Sequence, residues 1–252
     1  MLTDHVDEAV RCLCAARRGP PLHELPPGCR PQTDADAYQI QEAVARQLGE
    51  TAGGWKVGAA SAAGAAFCAP IWMRMIRLSP ASYVGAELRM IGIEAEIAFR
   101  LARDLPPRAA PYGPAEVTAG AALHPVIEVV DSRYADFRSL DRLSILADNF
   151  SNGGLVYGPA VPDWEKLDLA STAIIVTEDG EPFADSSVGA GRDPIAALVD
   201  FANLMSKRGG VKAGTLVTTG SWTGMVLTKR GARIVADFGP LDRVEVAFPA
   251  DE

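Results

Sequence analysis

The sequence predicts an α+β protein: a helical N-terminal portion, residues 1–52, precedes a curled, mostly antiparallel or mixed sheet unit, residues 53–252. Three observations predict it. Apolar residues recur at helical spacing twice within the first fifty positions, and much of the later chain alternates with period two. Its strands are also not regularly interleaved with helices, as a doubly wound parallel sheet would require.

Val6, Ala9, Val10 and Leu13 form the stripe of a first helix over 4–17, stopped by Gly19, Pro20 and Pro21, and a proline-rich connector runs on to Pro31. Thr33 with Asp36 three residues on is an N-cap signal, and Ala37, Ile40, Val44 and Leu48 carry a second helix closed by Gly49. Residues 53–58 read as a short strand bounded by glycines, and the Ala/Gly/Ser-rich run 59–66 as a flexible loop. A strand through 88–101, a helix near 114–123 and a strand over 126–131 follow. Asp179-Gly180 predicts a hairpin turn between flanking strands. Asp193-Pro194 opens a helix carried by Ile195, Leu198, Val199, Ala202 and Met205 and stopped by Gly209 and Gly210. Alternating strands over 215–220, 233–238 and 243–248 complete the pattern.

Composition narrows the function. With 24 basic against 32 acidic residues, a net charge of −8 and no Lys/Arg cluster, the chain is not built to bind a phosphate backbone. No apolar run approaches the length of a membrane span, and the N-terminus carries acids where a signal peptide would carry bases; both point to a cytoplasmic protein without a membrane partner. The 4 cysteines lack Cys-x-x-Cys spacing and read as free thiols, and the 3 histidines are too scattered for a zinc site. A bound metal would therefore take oxygen ligands.

Candidates for such ligands stand out in the strand Leu88–Leu101. In period two, Ile91, Ile93, Ala95, Ile97, Phe99 and Leu101 share one face, while Gly92, Glu94, Glu96 and Ala98 share the other. The two acids are then roughly 7 Å apart along one strand, with no basic residue beside them. They call for a proton, a basic partner or a cation, unless the strand is a solvated edge. Glu128 interrupts the apolar run Val126–Val130 and is a natural third carboxylate; three such groups favour a hard cation, Mg²⁺ or Mn²⁺. Lys56, between Trp55 and Val57, is a lone cation in an apolar strand, suited to proton transfer or carboxylate binding, or else to snorkelling from a sheet edge. The turn from Thr219 to Gly224 combines glycines with the Ser221 hydroxyl and could cradle a carboxylate, and Asp148-Asn149 opens another polar turn.

Five stretches, taken in order, resemble the 2-keto-4-pentenoate hydratase and 4-oxalocrotonate decarboxylase branch of the fumarylacetoacetate hydrolase superfamily: Gly54-Trp-Lys-Val-Gly58, Gly92-Ile-Glu-Ala-Glu-Ile-Ala-Phe99, Pro125-Val-Ile-Glu-Val-Val-Asp-Ser-Arg133, Leu146-Ala-Asp-Asn-Phe-Ser-Asn152 and Thr219-Gly-Ser-Trp-Thr-Gly224. The resemblance implies a mixed β-roll over 53–252 and a Mg²⁺ or Mn²⁺ ion held by Glu94, Glu96 and Glu128. It further implies catalytic roles for Lys56, Ser221 and Asp131, and substrate contacts from Gly220, Ser221, Trp222, Lys56 and Asn149. The implied partner is a small 2-oxo acid, and the implied assembly a homo-oligomer. The activity expected first is hydration of 2-hydroxypenta-2,4-dienoate in the catabolism of aromatic compounds. Decarboxylation of the 4-oxalocrotonate type, acylpyruvase-like C–C hydrolysis and a non-catalytic relative are the alternatives. One departure bears on the choice: Ala66 stands where many hydratases of the branch carry an acid, and neither His nor Glu occurs between 59 and 69 to serve a hydrolase.

Overall fold

The computed structural model describes residues 1–59, 66–84, 88–186 and 193–250, so most of the expected loop at 59–66 lies outside the described residues. The chain begins with helices α1 (Thr3–Ala16) and α2 (Asp34–Leu48). Strands β1 (Ala52–Ala59), β2 (Ala66–Trp72), β3 (Ile76–Leu78), β4 (Ala81–Ser82) and β5 (Gly92–Arg100) follow. Next come α3 (Pro114–Thr118), β6 (Ala122–Val130), α4 (Arg142–Ala147), β7 (Asn152–Tyr157), β8 (Ile175–Glu178) and β9 (Glu181–Asp185). The last elements are α5 (Pro194–Ser206), β10 (Leu216–Ser221), β11 (Val226–Leu227), β12 (Arg233–Asp237) and β13 (Arg243–Ala247).

Both early helices form where the stripes place them. In α1 the buried residues are Val6, Ala9, Val10, Leu13 and Ala16. α2 starts on a capping box: the Thr33 hydroxyl accepts from the Asp36 amide at 3.2 Å, and the Asp36 carboxylate accepts from the Thr33 amide at 3.0 Å. It ends at Gly49, whose φ of 67° is the left-handed conformation a helix terminus favours. Thr33→Ala should therefore cost about 1 kcal/mol of stability, read as a lower urea midpoint with an unchanged slope.

The strands make two sheets. The larger, among the described residues, is eight-stranded in the order β2-β1-β10-β5-β6-β7-β3, with β11 added to β5; the smaller is five-stranded, β4-β13-β12-β8-β9. Pairing is mixed: β1 runs parallel to β10, and β3 to β7, while β10, β5, β6 and β7 are antiparallel neighbours. This is an α+β architecture of curled sheets and few helices, the class the strand pattern predicts. The β8–β9 hairpin turns at Asp179 and Gly180, whose φ values of 53° and 91° are both positive, as a two-residue primed turn requires.

One expectation changes in extent, and one helix is new. The helix near 114–123 is only α3, Pro114–Thr118, because Gly120 (φ 72°) ends it and β6 begins at Ala122. α4, with the N-cap Asp141 accepting from the Ser144 amide, was not anticipated, since Asp148-Asn149 drew attention to a turn. No helix of the described residues is long and apolar enough to cross a membrane.

Alternation along the two central strands positions the site. Ile93, Ala95, Ile97 and Phe99 of β5, with Ile127 and Val129 of β6, belong to the main apolar cluster, which also takes in α1, α2 and α5. The opposite face carries a smaller apolar cluster, Ile71, Ala98, Val126, Leu155 and Leu216. Glu94, Glu96 and Glu128 share that second face.

Candidate metal centre and active site

The central pair β5–β6 brings the acids together by register. Glu94 lies directly opposite Glu128, and Glu96 opposite Val126. One carboxylate oxygen from each of the three lies within 4.8 Å of the others. Their exposure is graded: the Glu94 side chain is 18% exposed, whereas Glu96 and Glu128 are 2% and 0% exposed as residues. The solvated-edge alternative is thereby excluded, because β5 has β10 on one side and β6 on the other.

Each buried acid is held by a neighbouring strand. Glu96 accepts hydrogen bonds from the Thr218 hydroxyl and, at 2.9 Å, from the Gly220 amide. That amide is available because β10 bulges: Thr218 pairs with Ala98 but Ser221 with Glu96, so the extra residue falls between, and Gly220 has φ 110°. Glu128 accepts from Asn152 Nδ2 at 2.9 Å, while its Oε2 is buried without a partner.

Lys56, on β1, faces the trio across β10. Its Nζ lies 2.6 Å from Glu128 Oε1 and 3.8 Å from Glu94 Oε2, and donates to the Phe150 carbonyl at 3.3 Å. Lys56 is buried, not snorkelling, because β1 sits between β2 and β10. Phe150 also sets its ring centroid 5.4 Å from Nζ. It does so from a turn in which Asn149, Phe150 and Ser151 have φ of 52°, 48° and 56°, three successive non-glycine residues in the strained left-handed region.

The electrostatics follow from burial. Desolvation, then the charges of Glu128 and Glu94, push the Glu96 carboxyl up to about 8 despite Lys56 and the Thr218 hydrogen bond. Desolvation likewise raises Glu94, against the pull of Lys56. For Lys56, burial alone would depress the ammonium, but Glu128, Glu94 and Glu96 outweigh it and hold the pKa above its ordinary value. Three acids thus face one lysine. The all-oxygen donor set, the orphaned Glu128 Oε2 and the raised acids fit a hard divalent cation, which would relieve the repulsion that a single ammonium leaves.

A cavity of about 350 Å³ adjoins the cluster, lined by Lys56, Glu94, Val130, Phe137, Arg138, Ile145, Phe150, Ser151 and Met225. The other expected residues divide. Ser221 lies beside Glu96 in register, and its Oγ is buried without a partner, as are the Asn149 side-chain amide atoms and Ser151 Oγ. Gly220 serves Glu96 through its amide, where a substrate carboxylate was expected to receive it. Trp222 packs its ring in the main apolar cluster, because its amide bonds the Ala95 carbonyl at 2.9 Å and turns the side chain to the apolar side of β5. Asp131 is not brought to the trio. It accepts from the Arg89 and Met90 amides at 3.1 and 3.0 Å, pairs with Arg133 at 3.4 Å and borders a different cavity.

Sequence reasoning missed Thr218, Asn152, Ser151 and Arg138. Thr218 adjoins the quoted Gly-Ser turn and Asn152 ends the quoted Asp-Asn stretch, so both signals were present; which acid each would meet depended on pairing across strands.

No protein-family model matches the chain. A 4-oxalocrotonate decarboxylase of Pseudomonas putida is 32% identical over 129 residues, 49% of this chain and 47% of that protein. A 2-keto-4-pentenoate hydratase of Paraburkholderia phymatum is 31% identical over 158 residues, 62% of this chain and 60% of that protein. The chain thus matches about half to three-fifths of the length of these curated relatives. Similarity of structure extends further. A 4-oxalocrotonate decarboxylase from Pseudomonas putida G7, complexed with magnesium and adipate, superimposes with a TM-score of 0.84 at 25% identity, over 98% of this chain and 99% of that one. A fumarylpyruvate hydrolase from Pseudomonas aeruginosa, in complex with Mn²⁺ and pyruvate, shares the fold at a TM-score of 0.54 and 16% identity, over 78% of this chain and 89% of that one. In sequence, then, the chain is a homologue of proteins named 4-oxalocrotonate decarboxylase and 2-keto-4-pentenoate hydratase, and its fold is that of the magnesium-complexed decarboxylase and of the fumarylpyruvate hydrolase.

Proposed function

We propose that this chain is a divalent-cation-dependent lyase of 2-oxo acids, and that its preferred reaction is decarboxylation of a 2-oxo dicarboxylate of the 4-oxalocrotonate kind. The observation carrying the reading is the trio Glu94, Glu96 and Glu128 set against Lys56 beside a largely apolar cavity. Glu94, Glu96 and Glu128 would hold Mg²⁺ or Mn²⁺, with Thr218, Gly220 and Asn152 fixing the two buried acids. A cation there supplies Lewis acidity toward the keto and carboxylate oxygens of a 2-oxo acid.

The chain's own groups do the rest. Lys56 brings a proton on Nζ to the carbon that retains the electron pair when its bond to the departing carbon dioxide breaks. Ser221 Oγ, left without a partner, donates to the carboxylate next to the keto group, and Asn149 offers a second free polar group. Val130, Phe137, Ile145, Phe150 and Met225 exclude water and give the leaving carboxylate a poorly solvating wall.

Arg138 favours a substrate with a second carboxylate, since it is a cation on the wall of the same cavity. Arg138→Met should raise KM for the dicarboxylate about tenfold and leave KM for a monocarboxylate analogue unchanged. Turnover of the dicarboxylate should hold or rise, because a paired leaving carboxylate is stabilised in the ground state.

The second reading is hydration of a 2-hydroxypenta-2,4-dienoate-type substrate, supported by the hydratase relatives. Ala66 weighs against it, since it pairs with Ala59 across β1–β2 and offers no proton-handling group. Stripping the protein with chelator and assaying both carbon dioxide release and water addition tests the proposal. Loss of about 10²-fold or more, restored by Mg²⁺ or Mn²⁺, is expected for carbon dioxide release. Undiminished activity after stripping would sink the cation-dependent reading, and water addition alone would select the hydratase.

A further inference from the structure

We infer that a second cavity, where the C-terminal end of α1 meets the Gly49 end of α2, binds a small oxyanion, with Arg17 as its main contact and Arg18 beside it. The cavity has a volume of about 520 Å³, and Arg17, Arg18, Glu50, Arg74 and Asp131 line it. Its acids are already engaged: Glu50 pairs with Arg74, and Asp131 with Arg133 and the Arg89 and Met90 amides. The two neighbouring arginines are left over. Arg17 Nε and Nη2 are sealed from water, and no described residue accepts a hydrogen bond from them.

The usual acceptor at a helix C-terminus is also taken. Arg89 Nη1 donates to the Ala16 carbonyl at 3.2 Å and to the Gly19 carbonyl, so Arg89 occupies the positions where Arg17 could have turned back on its own helix. Arg17 nevertheless keeps its charge at neutral pH, although burial, reinforced by Arg133, lowers its pKa to about 10. A largely desolvated guanidinium with five donors and no acceptor is costly, and an anion in the adjoining space, met by Nη1, the nitrogen that is not sealed, would offset its charge. Carboxylate and phosphate share the required chemistry, oxygen acceptors bearing negative charge that a guanidinium N–H can meet.

The position matters for the rest of the molecule. Asp131 borders this cavity and pairs with Arg133; Arg133 Nε donates to Asp148 Oδ1 at 2.5 Å; and Asp148 leads into the turn whose Phe150 carbonyl holds Lys56. The oxyanion site is therefore one ion-pair network away from the catalytic lysine. It does not depend on which reaction the protein performs.

The test uses the full chain in a phosphate-free buffer. Inorganic phosphate and, in a separate arm, succinate are titrated against an ionic-strength-matched chloride control, with binding followed by calorimetry and thermal shift. Saturable binding of at least one anion, weakened about tenfold or more in Arg17→Met and less in Arg17→Lys, is the expected result. The same binding should persist in Lys56→Met, which separates this site from the other cavity; the stronger arm identifies phosphate or carboxylate. No saturable binding, or equal binding by Arg17→Met, would overturn the inference. Comparing anion-induced shifts instead of absolute melting temperatures keeps the test valid if Arg17→Met is itself less stable. Sedimentation of both proteins closes the remaining route: if Arg17→Met falls apart into smaller species and neither anion binds the parent protein, Arg17 serves an interface between copies and the inference fails.

Discussion

Lys56→Met is expected to lower turnover about 10²–10⁴-fold while divalent-cation affinity holds or rises. The two effects separate because Lys56 does opposite things in the two states. With its Nζ 2.6 Å from Glu128 Oε1, the ammonium is the nearest countercharge to the trio and competes with an added cation. Once it is removed, the acids have no positive charge but the cation to turn to, while on the proposed mechanism the cavity would lack its proton carrier. The cation-free variant should also be less stable by about 3–5 kcal/mol, the usual result of removing one partner from a buried pair, and Mg²⁺ should restore much of that. Steady-state kinetics with calorimetric Mg²⁺ titration measures the split. Parallel loss of turnover and cation affinity would instead mean that Lys56 only holds the site together.

The second large effect is on stability against pH. In the cation-free protein the Glu96 carboxyl is pushed up to about 8 from an ordinary value of 4.5, first by burial and then by Glu128 and Glu94. Between those values the folded state keeps a proton that the unfolded state has released, so stability falls as pH rises through this window, by an amount on the order of a few kcal/mol. Below 4.5 both states are protonated at Glu96, and above 8 both are ionised, so the slope from this group vanishes outside the window. Lys56, raised above its usual 10.5, contributes stability that is lost only at higher pH and does not blur the result. Denaturant melts from pH 4.5 to 8 should therefore show a decline that saturating Mg²⁺ abolishes and Glu96→Gln reduces, the raised Glu94 carboxyl supplying the remainder. A flat profile without cation would contradict the burial argument.

The acids were legible because they break a local rule. Glu94 and Glu96 interrupt an alternating apolar strand, and Glu128 an apolar run, so period two alone placed them on common faces. Helix α2 was equally legible, since Thr33, Asp36 and Gly49 state its ends chemically. What the chain order concealed was who stands beside whom. Thr218 reaches Glu96 only because β10 lies next to β5, with a bulge that displaces Gly220 toward the carboxylate. Asn152 reaches Glu128 only because β7 follows β6 in the sheet. The places of Asp131 and Trp222 were concealed for a related reason. Each is adjacent in sequence to a site element, yet hydrogen bonds at the strand ends, from the Met90 amide to Asp131 and from the Trp222 amide to Ala95, direct them elsewhere. Asn149 was singled out as a substrate contact through the resemblance, but the conformation of the Asn149–Ser151 turn was not legible, since its three left-handed residues have no glycine to announce them.

The graded exposure of the acids has a kinetic meaning. A hydrated Mg²⁺ ion gives up its water reluctantly, and a pocket in which every ligand was equally deep would demand that it lose several water molecules at once. Here the Glu94 side chain is 18% exposed while Glu128 is fully enclosed, so if the trio holds the ion as proposed, Glu94 would be the carboxylate an ion could meet while still largely hydrated. Replacement of Glu94 should slow loading and unloading of the ion more than it weakens the final hold, whereas changes at Glu128 should act mainly on how long the ion stays.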